Sequence, residues 1–146
     1  VTVVPAAVTD RAGSVRFLVA ESNGMGKAEG SAGRQDVAYA TTVEVPGLSL
    51  DEYLAAHPDF PPQVIKLDIE GGEVLALPGM RALLQDVRPL LLLELHGPEA
   101  TALAWETLTR GGYRLARLRH GYPRVLAQDE LDWKAYLVAF PDAGQL

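Results

Sequence analysis

The chain contains no cysteine. Disulfides, thiolate metal ligands and a cysteine nucleophile are therefore excluded. Basic charge is scarce as well: 13 Lys and Arg stand against 19 Asp and Glu, a net charge of −6. Nucleic acids and anionic membranes both need a basic face, so neither is an expected partner. The densest basic stretch, Arg114, Arg117, Arg119 and Arg124, reads as a solvated strand and loop. Long apolar runs are missing, and the run Leu90 to Leu93 falls far short of the ~20 residues of a membrane span. The first ten residues lack the order of a signal peptide. The expectation is a soluble, cytoplasmic protein.

Several catalytic signatures are also absent. No serine sits in a G-x-S-x-G elbow, which disfavours a nucleophilic hydrolase. "GMGKAEG" (24–30) is neither G-x-G-x-x-G nor a phosphate loop ending in G-K-[ST]. No amphipathic helix begins after it to receive a phosphate, so a flexible hairpin tip is expected. "DIEGGE" lacks the regular oxygen ligands and distal Glu of a calcium loop.

What is present is ordinary globular composition, 48% apolar and 22% charged over 146 residues. That is enough for one domain with a real core and too little for two. The sequence opens on the β-rich run "VTVVPAAV", as if inside a core, so an upstream segment is expected to be missing. "SVRFLVA" (14–20) and "VAYATTVEV" (37–45) alternate like strands. "SLDE" (49–52) is a capping-box pattern, with Ser49 capping a short helix and Glu52 reaching back, and His57-Pro58 stops that helix.

"VIKLDIEGGEVLALPGM" (64–80) reads as a buried strand that turns polar, then a helical pattern interrupted at Pro78-Gly79 and resumed in "MRALLQD". "RPLLLLELHG" (88–97) has the apolar centre of a strand covered on both faces. Pro98 suits the first turn of a helix with Ala100, Leu103, Ala104, Thr107 and Leu108 along one side, ended by Gly111-Gly112. "YRLARL" and "KAYLVAFP" complete the chain as two strands.

Two strands that are each followed by a helix imply parallel neighbours in an α/β sheet. Ligands in such sheets sit beyond the carboxyl ends of the strands. Asp68 and Glu70 mark one such end, Glu94 and His96 the other, so adjacent strands would gather four polar groups around one crevice. Lys66, Asp68 and Glu70 fall on alternate positions, which one extended strand would send to the same face. Charges there are costly to bury unless paired or used. For Lys66 the preferred reading is an ion pair with Asp68 or Glu94. The Asp68–Glu70 spacing, ~7 Å between backbones, suits a glycosidase pair at ~5–9.5 Å, a divalent-metal site, or a base beside a ligand-holding acid. No set of metal ligands is assigned. Trp105 and Trp133 read as packing residues, and His57 and His120 carry no functional signal.

The order of these motifs resembles the FkbM family of S-adenosylmethionine-dependent methyltransferases. The resemblance rests on "VPAAVTDRAGSVRF" (4–17), "LSLDEYL" (48–54), "VIKLDIEGGEVLALPGM" and "RPLLLLELHG". "KLDIEGGE" followed about twenty residues later by "RPLLLLELHG" is its most specific part. It implies a Rossmann-like α/β methyltransferase sheet, mostly parallel, with a closing antiparallel strand pair. "VTVVPAA" would be its third strand, and residues 1–146 a partial domain corresponding to the C-terminal two-thirds. The glycine-rich cofactor motif after the first strand has no counterpart here.

By position, the resemblance implies that Ala6 and Ala7 lie near the adenine of S-adenosylmethionine. It puts Asp68 at the sulfonium end and Glu70 facing the acceptor. His96, Glu70 and Glu94 are the candidate bases, with His96 or Glu70 favoured. The implied reaction is O-methylation of a small-molecule acceptor, a hydroxyl of a sugar or secondary metabolite. The alternatives are a metal-assisted or carboxylate hydrolase using the same cluster, and a non-catalytic remnant of the fold.

Overall fold

A computed structural model describes residues 1–21 and 26–142. The strands form two four-stranded sheets, ordered β1-β4-β2-β3 and β5-β6-β8-β7. The first is built from β1 (Ala7–Val8), β2 (Gly13–Ala20), β3 (Gly26–Ala28) and β4 (Tyr39–Leu48). The two alternating runs are β2 and β4, paired antiparallel with Val15 opposite Val45. Much of this sheet is exposed.

The sequence expectation for this region needs two corrections. "VTVVPAA" is not a strand of the site-bearing sheet: only Ala7–Val8 is extended in a ladder, and it runs parallel to β4. The preceding valines Val1 and Val3 are exposed, so no burial holds them in a sheet. The supposed hairpin tip is in part strand β3, paired to β2 with Leu18 opposite Lys27. Gly24 and Met25 of that stretch lie outside the described residues.

α1 (Leu50–Ala56) follows, and Ser49 caps it by accepting from the Glu52 amide. Glu52 does not reach back to Ser49; its carboxylate accepts from the Ala12 amide, 40 positions away, at 3.1 Å. That contact docks the first sheet onto the helix. His57 stacks on Tyr53, a structural role.

The second sheet carries the core. β5 (Val64–Leu67) and β6 (Leu90–His96) run parallel, with Leu67 opposite Leu93. Antiparallel β8 (Lys134–Pro141) lies between β6 and β7 (Tyr113–Arg117). Leu91, Leu93 and Leu95 present one fully buried face to the core, against Leu108 of α3 (Pro98–Arg110) and Leu77. The opposite face of β6, Leu90, Leu92 and Glu94, is only half-buried, so the expected cover on both faces is incomplete.

The interrupted helix after Gly72 consists of α2 (Glu73–Ala76), a 3-10 turn (Leu77–Gly79) and a π-helical turn (Leu83–Val87). Asp51 of α1 supplies the cap of this last turn by accepting from the Ala82 and Leu83 amides at 3.1 and 2.9 Å. Among the described residues no helix is long and apolar enough to cross a membrane.

Candidate functional site

The turn between β5 and α2 positions the acids. β5 ends at Leu67, so Asp68 and Glu70 do not occupy alternate positions of one strand as expected. Glu70 instead adopts a left-handed backbone, φ 54°, followed by Gly71 at φ 87°. This is uncommon for a residue with a Cβ. It is held by the segment after β3: the Ala32 amide donates to the Gly71 carbonyl at 2.9 Å. A Cβ on Gly71 would stand 2.5 Å from Gly33 Cα, and closer still to the Gly33 nitrogen. A Cβ on Gly33 would in turn meet the Glu70 carbonyl carbon at 2.9 Å. Two glycines let two backbones touch, and the contact turns Glu70 back toward the strand ends.

Parallel pairing of β5 with β6 brings the four predicted groups together. His96 is 2% exposed, and its Nε2 lies 3.3 Å from Glu94 Oε1 and 3.8 Å from Glu70 Oε2. Glu70 stands beyond hydrogen-bond reach and Glu94 makes no hydrogen bond to the ring, so among the described residues both ring nitrogens are buried without a partner. Ligand atoms of Asp68, Glu70 and His96 all lie within 4.8 Å of one another. Two lysines flank the cluster. Lys66 Nζ donates to Asp68 Oδ2 at 2.6 Å, which realises the pairing expected for Lys66, although the lysine is exposed rather than buried. Lys134 pairs with Glu94; its hydrogen bond to Glu94, and then one to Tyr136, hold the ammonium well above the ordinary lysine range.

Ala7 belongs to the first sheet, opposite Gly47, and Ala6 immediately precedes that strand; both lie apart in the topology from the strands carrying the acids. A cleft of about 980 Å³ lies beside the cluster rather than on it; its lining includes Arg34, Val74, Pro98, Glu99 and Trp133. None of Asp68, Glu70, Glu94 and His96 lines this cleft, so it is not the crevice expected between them.

Sequence reasoning passed over several residues that shape this region. Trp133 is 44% exposed rather than packed inside, meets the His96 ring edge-on at 6.2 Å, and carries the Arg34 guanidinium over its face at 5.9 Å. Trp105, by contrast, packs against the core as expected. Lys27 is buried and donates to the Arg34 carbonyl at 2.7 Å. Burial pushes its ammonium down, and the Glu70 charge partly offsets that. Glu73 is fully buried, and burial pushes its carboxyl above the usual range. Its Oε1 accepts from the Ile69 amide at 3.3 Å, tying the turn to α2. The repeated acid in "EGGE" was the only local signal for Glu73. Nothing local marked Lys27, whose burial depends on the first sheet.

Acids and an imidazole gathered at the carboxyl ends of two parallel strands define an α/β protein with its polar site where such sheets carry ligands. A model of the methyltransferase FkbM domain matches residues 1–115, and the chain belongs to that family. No curated protein and no solved structure gives a significant match. The family supports methyltransferase chemistry for this chain.

Proposed function

We propose that the protein is an S-adenosylmethionine-dependent O-methyltransferase acting on a hydroxyl of a small molecule, such as a sugar or secondary metabolite. The reading is carried by the approach of Asp68, Glu70 and Glu94 to a buried, unpartnered imidazole, in a chain of the FkbM family. The order β5-β6-β8-β7, with only β8 antiparallel to its neighbours, is compatible with the later strands of a Rossmann-like methyltransferase sheet. On that template the chain corresponds to the C-terminal two-thirds of the domain.

The donor set fits a cationic cofactor. Lys66 pairs with Asp68 and Lys134 with Glu94, which leaves Glu70, whose charge also reaches the buried Lys27, as the carboxylate of the three without a lysine ion pair among the described residues. When bound, S-adenosylmethionine supplies an electrophilic methyl group on a positively charged sulfur. Asp68 is the residue to face that charge, while the adenine role of Ala6 and Ala7 rests on the resemblance alone. Glu70, turned inward by its left-handed backbone, faces the acceptor.

Most of the acceleration in an in-line transfer comes from alignment of the reacting atoms. Removal of the hydroxyl proton adds ~10²–10⁴-fold. His96 Nε2 or the Glu70 carboxylate takes that proton; if the imidazole does, Glu94 and Glu70 stabilise the resulting imidazolium. Calorimetric titration with S-adenosylmethionine and a methyl-transfer assay test the reading. Glu70→Gln and His96→Gln are each expected to lower turnover by at least tenfold. Full activity in both would remove the assignment of the base, and no heat of cofactor binding would remove the reading itself.

A further inference from the structure

We propose that Asp68, Glu70 and His96 form a divalent-cation site. The sequence spacing of Asp68 and Glu70 allowed a divalent-metal site among other uses but did not say which donor atoms would meet. The folded chain supplies those distances. One donor atom from each of the three residues falls within 4.8 Å of the other two. A point equidistant from three such atoms lies within about 2.8 Å of all of them, only slightly beyond the ~2.3–2.6 Å of calcium–oxygen bonds. Side-chain shifts of about 0.6–0.8 Å at each residue bring the distance to the ~2.0–2.2 Å of a smaller ion.

The second observation is the state of His96. Burying an imidazole whose two nitrogens lack partners costs free energy that a native structure normally recovers through a hydrogen bond or a ligand. Its Nε2 is directed at the acids, yet makes a hydrogen bond to neither carboxylate. A cation between these groups satisfies the nitrogen lone pair and neutralises two carboxylates together. Glu94 stays outside the ligand set because Lys134 holds it. Asp68 gives Oδ2 to Lys66 and has a second oxygen to offer. Lys66 is exposed, so water can take its ammonium when the charge it balances is met otherwise.

Two carboxylates and one imidazole make a mixed oxygen and nitrogen set, suited to manganese or zinc rather than to calcium, which prefers oxygen alone. The remaining positions of the ion are open to water or to an acceptor hydroxyl. An ion lowers the pKa of a bound hydroxyl strongly, so in the loaded protein the ion takes over the activation of the acceptor that the metal-free reading above gives to His96 or Glu70. This consequence rests on the methyl-transfer reading; the site itself does not.

The test is therefore a binding measurement made without cofactor or acceptor. Metal-stripped protein is titrated with Mn²⁺, followed by electron paramagnetic resonance and by calorimetry. One ion per chain is expected, with affinity at least tenfold weaker in Asp68→Asn and in Glu70→Gln. Both changes are at solvent-reached side chains, and circular dichroism checks that the fold survives. His96→Gln, which keeps a polar group of similar size, is expected to weaken binding likewise, while Glu99→Gln in the neighbouring cleft leaves it unchanged. Absence of binding at millimolar Mn²⁺, or equal affinity in Asp68→Asn, Glu70→Gln and the unaltered chain, would overturn the site. If the ion binds as described but no methyl transfer is seen, the function fails and the site stands. If transfer proceeds at an undiminished rate in excess chelator, the site's catalytic role fails and the methyltransferase stands.

Discussion

Replacement of Gly71 by alanine tests the contact on which the placement of the acids depends. Gly71 sits at φ 87°, a conformation that costs a residue with a Cβ about 1–2 kcal/mol. The new methyl would also stand 2.5 Å from Gly33 Cα and 2.9 Å from the Ala32 carbonyl carbon. Both are backbone atoms, so they cannot turn aside as a side chain would. Forced separation of tightly packed groups costs about 1–3 kcal/mol. Parting the two segments further loses the Ala32 amide hydrogen bond, about 1 kcal/mol. Together these place the variant about 3–6 kcal/mol below the unaltered chain, a fall of roughly 10–20 °C in melting temperature for a chain of this size. Thermal unfolding followed by circular dichroism reads the shift. Gly13→Ala is the matched control, because nothing lies within 4 Å of a Cβ there and its melting temperature is expected to stay put. A Gly71→Ala melting temperature within about 2 °C of the unaltered chain would refute the close backbone contact and the inward turn of Glu70 with it.

Glu73 gives the pH prediction. Burial raises its folded-state pKa above the unfolded value, so the native state binds this proton more tightly. The stability it contributes is then fully present below the unfolded carboxyl pKa of ~4.3 and is lost as pH rises through the raised value. Urea midpoints of the unaltered chain and Glu73→Gln, measured from pH 4 to 8, are expected to diverge with rising pH in favour of the glutamine variant; parallel curves would contradict this. Asp51→Ala removes the carboxylate that accepts from the Ala82 and Leu83 amides. Loss of such a cap costs about 1–2 kcal/mol, visible in the same urea titration and partly restored in Asp51→Asn.

Strands β2 and β4 to β8, the helix from Pro98 and the cap at Ser49 were legible because each is encoded by neighbours in the chain: alternation, spacing and a capping hydroxyl; β1 and β3 were not. The parallel pairing of β5 with β6 was legible too, since a strand–helix–strand order leaves few other solutions. With it came the meeting of Asp68, Glu70, Glu94 and His96, whose side chains that pairing must bring to one end of the sheet.

Only the tertiary structure decided how they meet. The left-handed turn at Glu70 depends on Ala32 and Gly33, nearly forty positions earlier. The burial of Lys27, and the engagement of Glu52 by Ala12, depend on how the first sheet folds over the second. The exposure of Trp133 beside His96 likewise follows from the path between β7 and β8. Local pattern reports the hydrogen bonds and burial that a segment arranges with its own neighbours. It does not report which distant backbone will press against a turn, and here that contact determines where a carboxylate points.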